Sequence, residues 1–251
     1  MKNLAKKLKS NILTIGAWIT INHPSIAEIF SNAGFDWVVV DLEHSVITLS
    51  EAENLIRVIE LSGATPLVRL TSNDPDQIKR VMDAGSHGVI VPMVKTLLDV
   101  QKAVNSVKYP PIGTRGVGLA RAQRWGNAFN KYLKWLEEDS IIIVQIEHIA
   151  AVDNLDEIFS ANGVSGYIIG PYDLSSSMNI PGDFKHSEFI KVIEKIKNKA
   201  KEHSICGGIH VVEPNKEELH KRINEGYKFI AYSLDTRILD SASRNALSSL
   251  K

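Results

Sequence analysis

Glu147 ends the apolar run Ile141-Ile142-Ile143-Val144-Gln145-Ile146, and Asp173 closes the run Gly166-Tyr167-Ile168-Ile169-Gly170-Pro171-Tyr172. Each run is rich in β-branched residues, has the length of a strand and stops at an acid. Between them Ala150 to Ser160 shows helical spacing of its apolar residues, so the pair reads as β-α-β. The two strands of such a unit point the same way, which brings both carboxylates to one rim. No lysine or arginine stands near either in sequence, so a divalent cation is the chemistry this pair suggests.

Side chains alternate along a strand, so Gln145 and Glu147 share a face while Ile146 takes the other. Oxygen ligands without cysteine, and without a histidine pair at metal-binding spacing, suit Mg²⁺ or Mn²⁺ better than structural zinc. The plainer reading is that the two acids cap helices or pair with surface lysines. Asp41 and His44 flank another strand end, and a histidine beside a carboxylate suits a general base near neutral pH. Arg69 ends the next strand. A guanidinium there needs a partner, either Asp41 or Glu43 as an ion pair or an anionic oxygen of a substrate. Asp83 lies in the segment leading to the strand after that. His23, His87, His186, His203 and His220 read as ordinary loop or surface residues.

These residues need strands to hold them. Strands are expected at Leu13-Ile19, Trp37-Leu42, Thr65-Leu70, Gly88-Met93, Ile141-Glu147, Gly166-Gly170, Cys206-His210 and Lys228-Ser233. Helices are expected between them at Ser25-Ala33, Ser50-Leu61, Asp74-Ala84, Leu97-Val107, Ala150-Ser160, Ser187-Glu202, Asn215-Asn224 and Asp235-Leu247. Ser50 with Glu53 has the spacing of a capping box, and Asp74-Pro75 that of an N-cap with proline behind it. Gly34, Gly63, Gly85, Gly163 and Gly226 stand where left-handed C-caps belong. Eight such units in 251 residues have the size of a single α/β domain, a (β/α)8 TIM barrel over 1–251. An open doubly wound sheet is the rival, but the glycine-rich turn after its first strand is missing. Lys108 to Asp139 breaks the rhythm. Taken as a long insertion after strand four, on the catalytic face, it would cover the site or meet a neighbouring subunit.

Other chemistries fit less well. A Schiff-base lysine belongs inside the barrel, and only Lys228 comes near, at the wrong end of its strand. Phosphate-binding barrels carry glycine-rich turns after strands seven and eight, whereas Gly207-Gly208 lie within a strand and Tyr232-Ser233-Leu234-Asp235 has none. Acidic and basic residues balance at 29 each, giving no electrostatic case for nucleic acid or anionic membrane. The single Cys206 excludes an internal disulfide and points to a cytoplasmic compartment. Lys2, Lys6, Lys7 and Lys9 before Ile12 to Ile21 mimic a secretory signal. Without a small-residue cleavage pattern, a basic first helix leading into a strand fits better.

Several motifs carry a resemblance. Phe35-Asp36-Trp37-Val38-Val39-Val40-Asp41-Leu42-Glu43-His44, Val68-Arg69 with Asn73-Asp74-Pro75, and Val91-Pro92-Met93-Val94 come first. Tyr109-Pro110-Pro111 with Gly113-x-Arg115-Gly116, Gln145-Ile146-Glu147 and Ile169-Gly170-Pro171-Tyr172-Asp173-Leu174-Ser175 complete the set. In this order, over nearly the whole chain, they resemble the metal-dependent (class II) pyruvate aldolases, such as 4-hydroxy-2-oxoheptanedioate and 2-dehydro-3-deoxyglucarate aldolases.

The resemblance implies a phosphoenolpyruvate/pyruvate-type barrel that reversibly cleaves a 4-hydroxy-2-oxo acid, either a 2-keto-3-deoxy sugar acid or a 4-hydroxy-2-oxo diacid. The products would be pyruvate and an aldehyde, and no organic cofactor would be needed. Glu147 and Asp173 would bind Mg²⁺ or Mn²⁺, with Co²⁺ a further candidate. Gln145, Gly170, Tyr172 and Asp173 would bind pyruvate. His44 would be the general base, Asp41 its orienting partner, Asp83 a second carboxylate raising its basicity, and Arg69 the stabiliser of enolate charge. It also implies a homo-oligomer, a hexamer as a trimer of dimers, in which Asp235 to Leu247 is the candidate for exchange between subunits. Leu42, Ser45-Val46-Ile47, Thr71-Ser72 and Tyr172 depart from the better-known members and leave the aldehyde open. Two alternatives remain at this point. One is a lyase acting on a coenzyme A ester, with Arg115, Arg121 and Arg124 as the nucleotide channel. The other is a barrel kept as a binding module.

Overall fold

In the computed structural model eight parallel strands close into a barrel in sequence order. They are β1 (Thr14–Ile19), β2 (Trp37–Asp41), β3 (Thr65–Arg69), β4 (Gly88–Val91), β5 (Ile141–Ile146), β6 (Gly166–Ile169), β7 (Gly207–Val211) and β8 (Phe229–Leu234). The structure describes residues 3–248, so Lys2 of the basic N-terminal group lies outside it. Helices α1 (Leu4–Lys9), α2 (Pro24–Asn32), α3 (Leu49–Leu61), α4 (Pro75–Asp83), α5 (Leu97–Val107) and α6 (Phe129–Asp139) belong to the first half. The second half holds α7 (Ile149–Val152), α8 (Leu155–Ser160), α9 (Pro171–Ser177), α10 (Ser187–Glu202), α11 (Lys216–Asn224) and α12 (Asp235–Leu247).

The strands are apolar on both faces because one face fills the barrel and the other meets the helices. Val38, Val40, Val68, Val89 and Ile142 join the outer layer, while Trp37, Val39, Leu67, Ile90, Ile143 and Phe229 fill the interior. Helix α1 plugs the N-terminal end: Leu4, Ala5 and Leu8 are buried with that inner cluster, and Lys7 Nζ meets Asp36 at 2.7 Å. Trp37 stacks on Phe229 with centroids 4.0 Å apart. The indole fits because residue 16 is glycine, where a Cβ would come within 2.0 Å of it.

Three local expectations change. The capping box of α3 is Thr48 with Glu51, two residues earlier than Ser50 with Glu53, because Thr48 is the last extended residue. The stretch Ala150 to Ser160 is two short helices, parted at Asp153 and Asn154, whose side-chain amide donates to the Lys95 and Ala150 carbonyls. The excursion at 108–139 follows α5, which has already returned the chain to the N-terminal rim. It therefore lies opposite the catalytic face. There Arg121 donates to the Ala84 carbonyl, Trp135 packs on His87, and Lys9 Nζ donates to the Glu138 carbonyl at 2.6 Å.

Candidate active site

The C-terminal ends of the strands surround a cavity of about 260 Å³ that Asp41, His44, Arg69, Gln145, Gly170, Tyr172 and Asp173 all reach. Strand β2 delivers Asp41 and β3 delivers Arg69, and the parallel register sets them side by side. The guanidinium forks onto the carboxylate, Nε to Oδ1 at 2.8 Å and Nη2 to Oδ2 at 2.6 Å, with Glu43 at 3.3 Å from Nη1. Its other side lies 4.4 Å from the Trp18 ring. Burial works against the charge of Arg69, but Asp41, Glu43 and Glu147 outweigh it and hold its pKa above the usual value.

This arrangement changes the expected role of Asp41. Its oxygens take the Arg69 fork and the backbone N–H groups of Glu43 and His44, at 3.0 and 3.3 Å, and do not meet the imidazole. Asp41 thus positions His44 through the backbone. The carboxylate nearest the ring is Glu43, 4.0 Å from Nε2, and the His44 side chain is 66% exposed at the lip. Asp83 is not at this rim in the chain. It ends α4, just before β4 begins, and its carboxylate pairs with Arg115 at 3.3 Å.

Glu147 and Gln145 form the floor. Gln145 donates to Glu147 Oε2, and the backbone N–H of Met93 reaches Oε1 at 2.6 Å. Met93 adopts a left-handed φ of 54° there. Burial pushes Glu147 up to about 7, and the carboxylates of Glu43 and Asp173 add to the effect against the two hydrogen bonds. Glu43 is likewise pushed up to about 7, first by burial, with Arg69 opposing and Asp41 and Asp173 adding. Gly170 stands against this pair: a Cβ there would lie 2.7 Å from Glu147 Oε2 and 3.2 Å from Gln145 Nε2. Asp173 sits in the first turn of α9, which opens on Gly170-Pro171 without a side-chain cap, so its first N–H groups are not taken by one. Tyr172 overhangs the mouth, edge-on to Phe184 at 5.0 Å.

Residues 14–242 match the family model described as HpcH/HpaI aldolase/citrate lyase. The chain belongs to the HpcH/HpaI aldolase family. It is 37% identical to a 4-hydroxy-2-oxo-heptane-1,7-dioate aldolase of Escherichia coli over 239 residues, covering 94% of this chain and 90% of that one. It is 33% identical to a 2-keto-3-deoxy-L-rhamnonate aldolase of Klebsiella pneumoniae, covering 94% and 88%. Among solved structures, an HpcH/HpaI aldolase/citrate lyase family protein from Burkholderia cenocepacia superposes with a TM-score of 0.93. It shares 28% identity, with 100% of this chain and 99% of that one covered.

HpcH/HpaI aldolases are in general divalent-metal dependent. The residues here fit such an ion. Glu147 is an acid among acids, and the guanidinium beside it is already engaged by Asp41 and Glu43. The Gln145 Oε1 atom is buried without a hydrogen-bond partner, leaving an oxygen for an incoming group. Among the described residues no three His, Cys, Asp or Glu side chains close up as a ready-made cluster, so water and substrate would complete the shell.

The coenzyme A alternative loses its motivating feature. Arg115 is buried at the opposite rim between Asp83, the Tyr132 hydroxyl and the Tyr109 ring, and Arg121 pairs with Glu60 and the Ala84 carbonyl. Trp18 and His210 line the cavity without having been singled out in the sequence, whereas Glu43 meets Arg69 as one of the two ion-pair partners expected for it. Trp18 and His210 sit at inward positions of strands correctly expected, which was the available signal.

Proposed function

We propose that this chain is a divalent-metal-assisted aldolase that reversibly cleaves a 4-hydroxy-2-oxo acid to pyruvate and an aldehyde. Glu147 and Asp173 would hold the cation, Mg²⁺, Mn²⁺ or Co²⁺, and Gln145 with the first backbone N–H groups of α9 would hold the 2-oxo acid. What carries the reading is Glu147, buried beside two further carboxylates with its own charge disfavoured until a cation arrives. The bound cation would act as a Lewis acid on the keto oxygen.

The chain's own residues do the rest. Asp41 fixes the plane of Arg69, so its remaining N–H groups face the oxygen on which charge grows as the C3–C4 bond breaks. His44, at the lip, takes the proton of the 4-hydroxyl directly or through water and returns one to the aldehyde oxygen in condensation. The electron pair of the broken bond moves onto the 2-oxo acid, and protonation at C3 gives pyruvate. Substrates are small molecules, in keeping with the 260 Å³ cavity.

Assembly as a hexamer, a trimer of dimers, is part of this proposal. On α12 only Asp235 is buried, while Leu239 and Leu247 are 59% and 55% exposed, which suits a helix that packs on a second copy. No helix among the described residues is long and apolar enough to cross a membrane, and the lone, buried Cys206 suits a reducing cytoplasm. Metal-loaded protein is expected to release pyruvate from 4-hydroxy-2-oxo acids in an assay coupled to lactate dehydrogenase. Equal rates after exhaustive chelation would overturn the role of the cation, and no pyruvate from any such acid would overturn the reaction.

A further inference from the structure

The cavity has a second wall, away from the carboxylates. Strands β1, β7 and β8 and the residues after them supply Trp18, Thr20, His210, Val212 and Leu234, and in the closed barrel β1 stands across from β5. The side chains of Val212 and Leu234 offer carbon only, the Thr20 hydroxyl is tied to Asp235 at 2.7 Å, and the Trp18 indole is a donor without acceptor capacity. His210 differs. Its ring lies 5.4 Å from Trp18, the same indole that carries the Arg69 guanidinium. Its Nε2 is 3.4 Å from the carbonyl oxygen of Ser233. A carbonyl only accepts, so Nε2 carries the proton and Nδ1 keeps its lone pair.

Nothing among the described residues donates to that lone pair. The Ser233 carbonyl is itself held in place. Ser233 is buried with a left-handed φ of 58°, sits where the β1–β8 register shifts by a bulge, and donates its hydroxyl to the Val212 carbonyl at 2.8 Å. Burial, and then the charge of Arg69, push the imidazole down to about 4, so the ring stays neutral at the pH where the enzyme would work. The mechanism above gives this ring no task.

We infer that His210 sets substrate specificity: its Nδ1 accepts a hydrogen bond from a hydroxyl on the aldehyde half of the substrate, selecting hydroxyaldehydes over alkyl or carboxylate-bearing ones. The inference rests on the aldolase reading. With the 2-oxo acid held by Gln145, Asp173 and the start of α9, the remainder of the substrate extends toward the β1–β7–β8 wall. A hydroxyl there fills the Nδ1 acceptor. An alkyl group leaves the acceptor desolvated and unpaired, and a carboxylate sets lone pair against lone pair.

The test is condensation of pyruvate with glycolaldehyde, with propionaldehyde, which replaces the hydroxyl by a methyl group, and with succinic semialdehyde. kcat/KM is measured for each in the metal-loaded full chain, in His210→Phe, which keeps a ring against Trp18, and in His210→Asn, which restores an acceptor. The wild type is expected to favour glycolaldehyde over propionaldehyde by at least about tenfold, and the ratio should collapse to within about threefold in His210→Phe and recover in His210→Asn. A ratio within one variant is independent of any general loss of activity. Should the phenylalanine variant melt early, His210→Leu gives the same reading. An unchanged ratio in these variants overturns the inference and leaves the aldolase reading standing. No carbon–carbon bond formation by the wild type with any aldehyde overturns both.

Discussion

Gly170→Ala adds a single methyl group to the site and removes no functional atom. The backbone at this position has φ −95° and ψ 91°, which alanine adopts without strain, so the effect is purely one of space. The new Cβ would meet Glu147 Oε2 at 2.7 Å and Glu147 Cβ at 2.9 Å, where ordinary contact begins at 3.4 Å. The carboxylate must therefore retreat by about 0.7 Å, against the Met93 N–H that grips its other oxygen at 2.6 Å. Overpacking of this kind costs about 1–3 kcal/mol, and displacement of a positioning group by about 1 Å costs on the order of 100-fold in rate. A fall in kcat/KM of about 30- to 100-fold is expected, with weaker Mn²⁺ binding by calorimetry. Gly116→Ala serves as control, because a Cβ there meets nothing within 4 Å. Cleavage by Gly170→Ala within about threefold of wild type would refute the placement of Glu147 at the reacting centre.

Two other outcomes follow from the same geometry. Glu43 and Glu147 are pushed up from 4.5 to about 7, so the metal-free folded protein keeps protons that the unfolded chain has lost, and these two groups lower stability as pH rises through 7. His210, pushed down to about 4, acts in the opposite sense at lower pH, so the Mn²⁺-induced shift in Tm isolates the carboxylates better than Tm itself. That shift should be larger at pH 8 than at pH 6, because a cation binds the ionised acids, and a larger shift at pH 6 would contradict the assignment. Asp235 is buried and accepts from the Thr20 backbone N–H at 2.9 Å, the Thr20 hydroxyl at 2.7 Å and the Ile21 N–H at 2.7 Å, tying the start of α12 to the end of β1. Asp235→Ala should destabilise the fold by about 3 kcal/mol in urea unfolding, and a loss below about 1 kcal/mol would show these bonds to be replaceable by water.

The barrel was legible because each strand is buried on both faces, so apolar runs such as Ile141–Ile146 and Trp37–Asp41 stand out from the amphipathic helices between them. Residue types at strand ends were legible too, since acids and amides at the ends of apolar runs need a reason to be there. What a side chain touches across the sheet was not. Asp41 was read both as the orienting partner of His44, three positions on, and as one candidate partner for Arg69, and the parallel register decides for Arg69. Asp83, Arg115 and Arg121 were read as near the catalytic face. Whether the excursion at 108–139 leaves a strand or a helix decides its rim, and α5 decides it for the N-terminal one. Glu43 was expected as a partner of Arg69 and is one, but its raised pKa, like the part played by His210, comes from burial and neighbouring charge, which no local pattern records.

The central claim is that Glu147 and Asp173 hold a cation that makes a carbanion equivalent of pyruvate accessible. The most direct measurement is exchange of the pyruvate methyl protons for deuterium, followed by NMR with Mg²⁺, without it, and in Glu147→Gln. The account predicts enzyme-dependent exchange with Mg²⁺ that is lost on chelation and in Glu147→Gln. Exchange that persists undiminished in the chelated protein, or in Glu147→Gln, would contradict it.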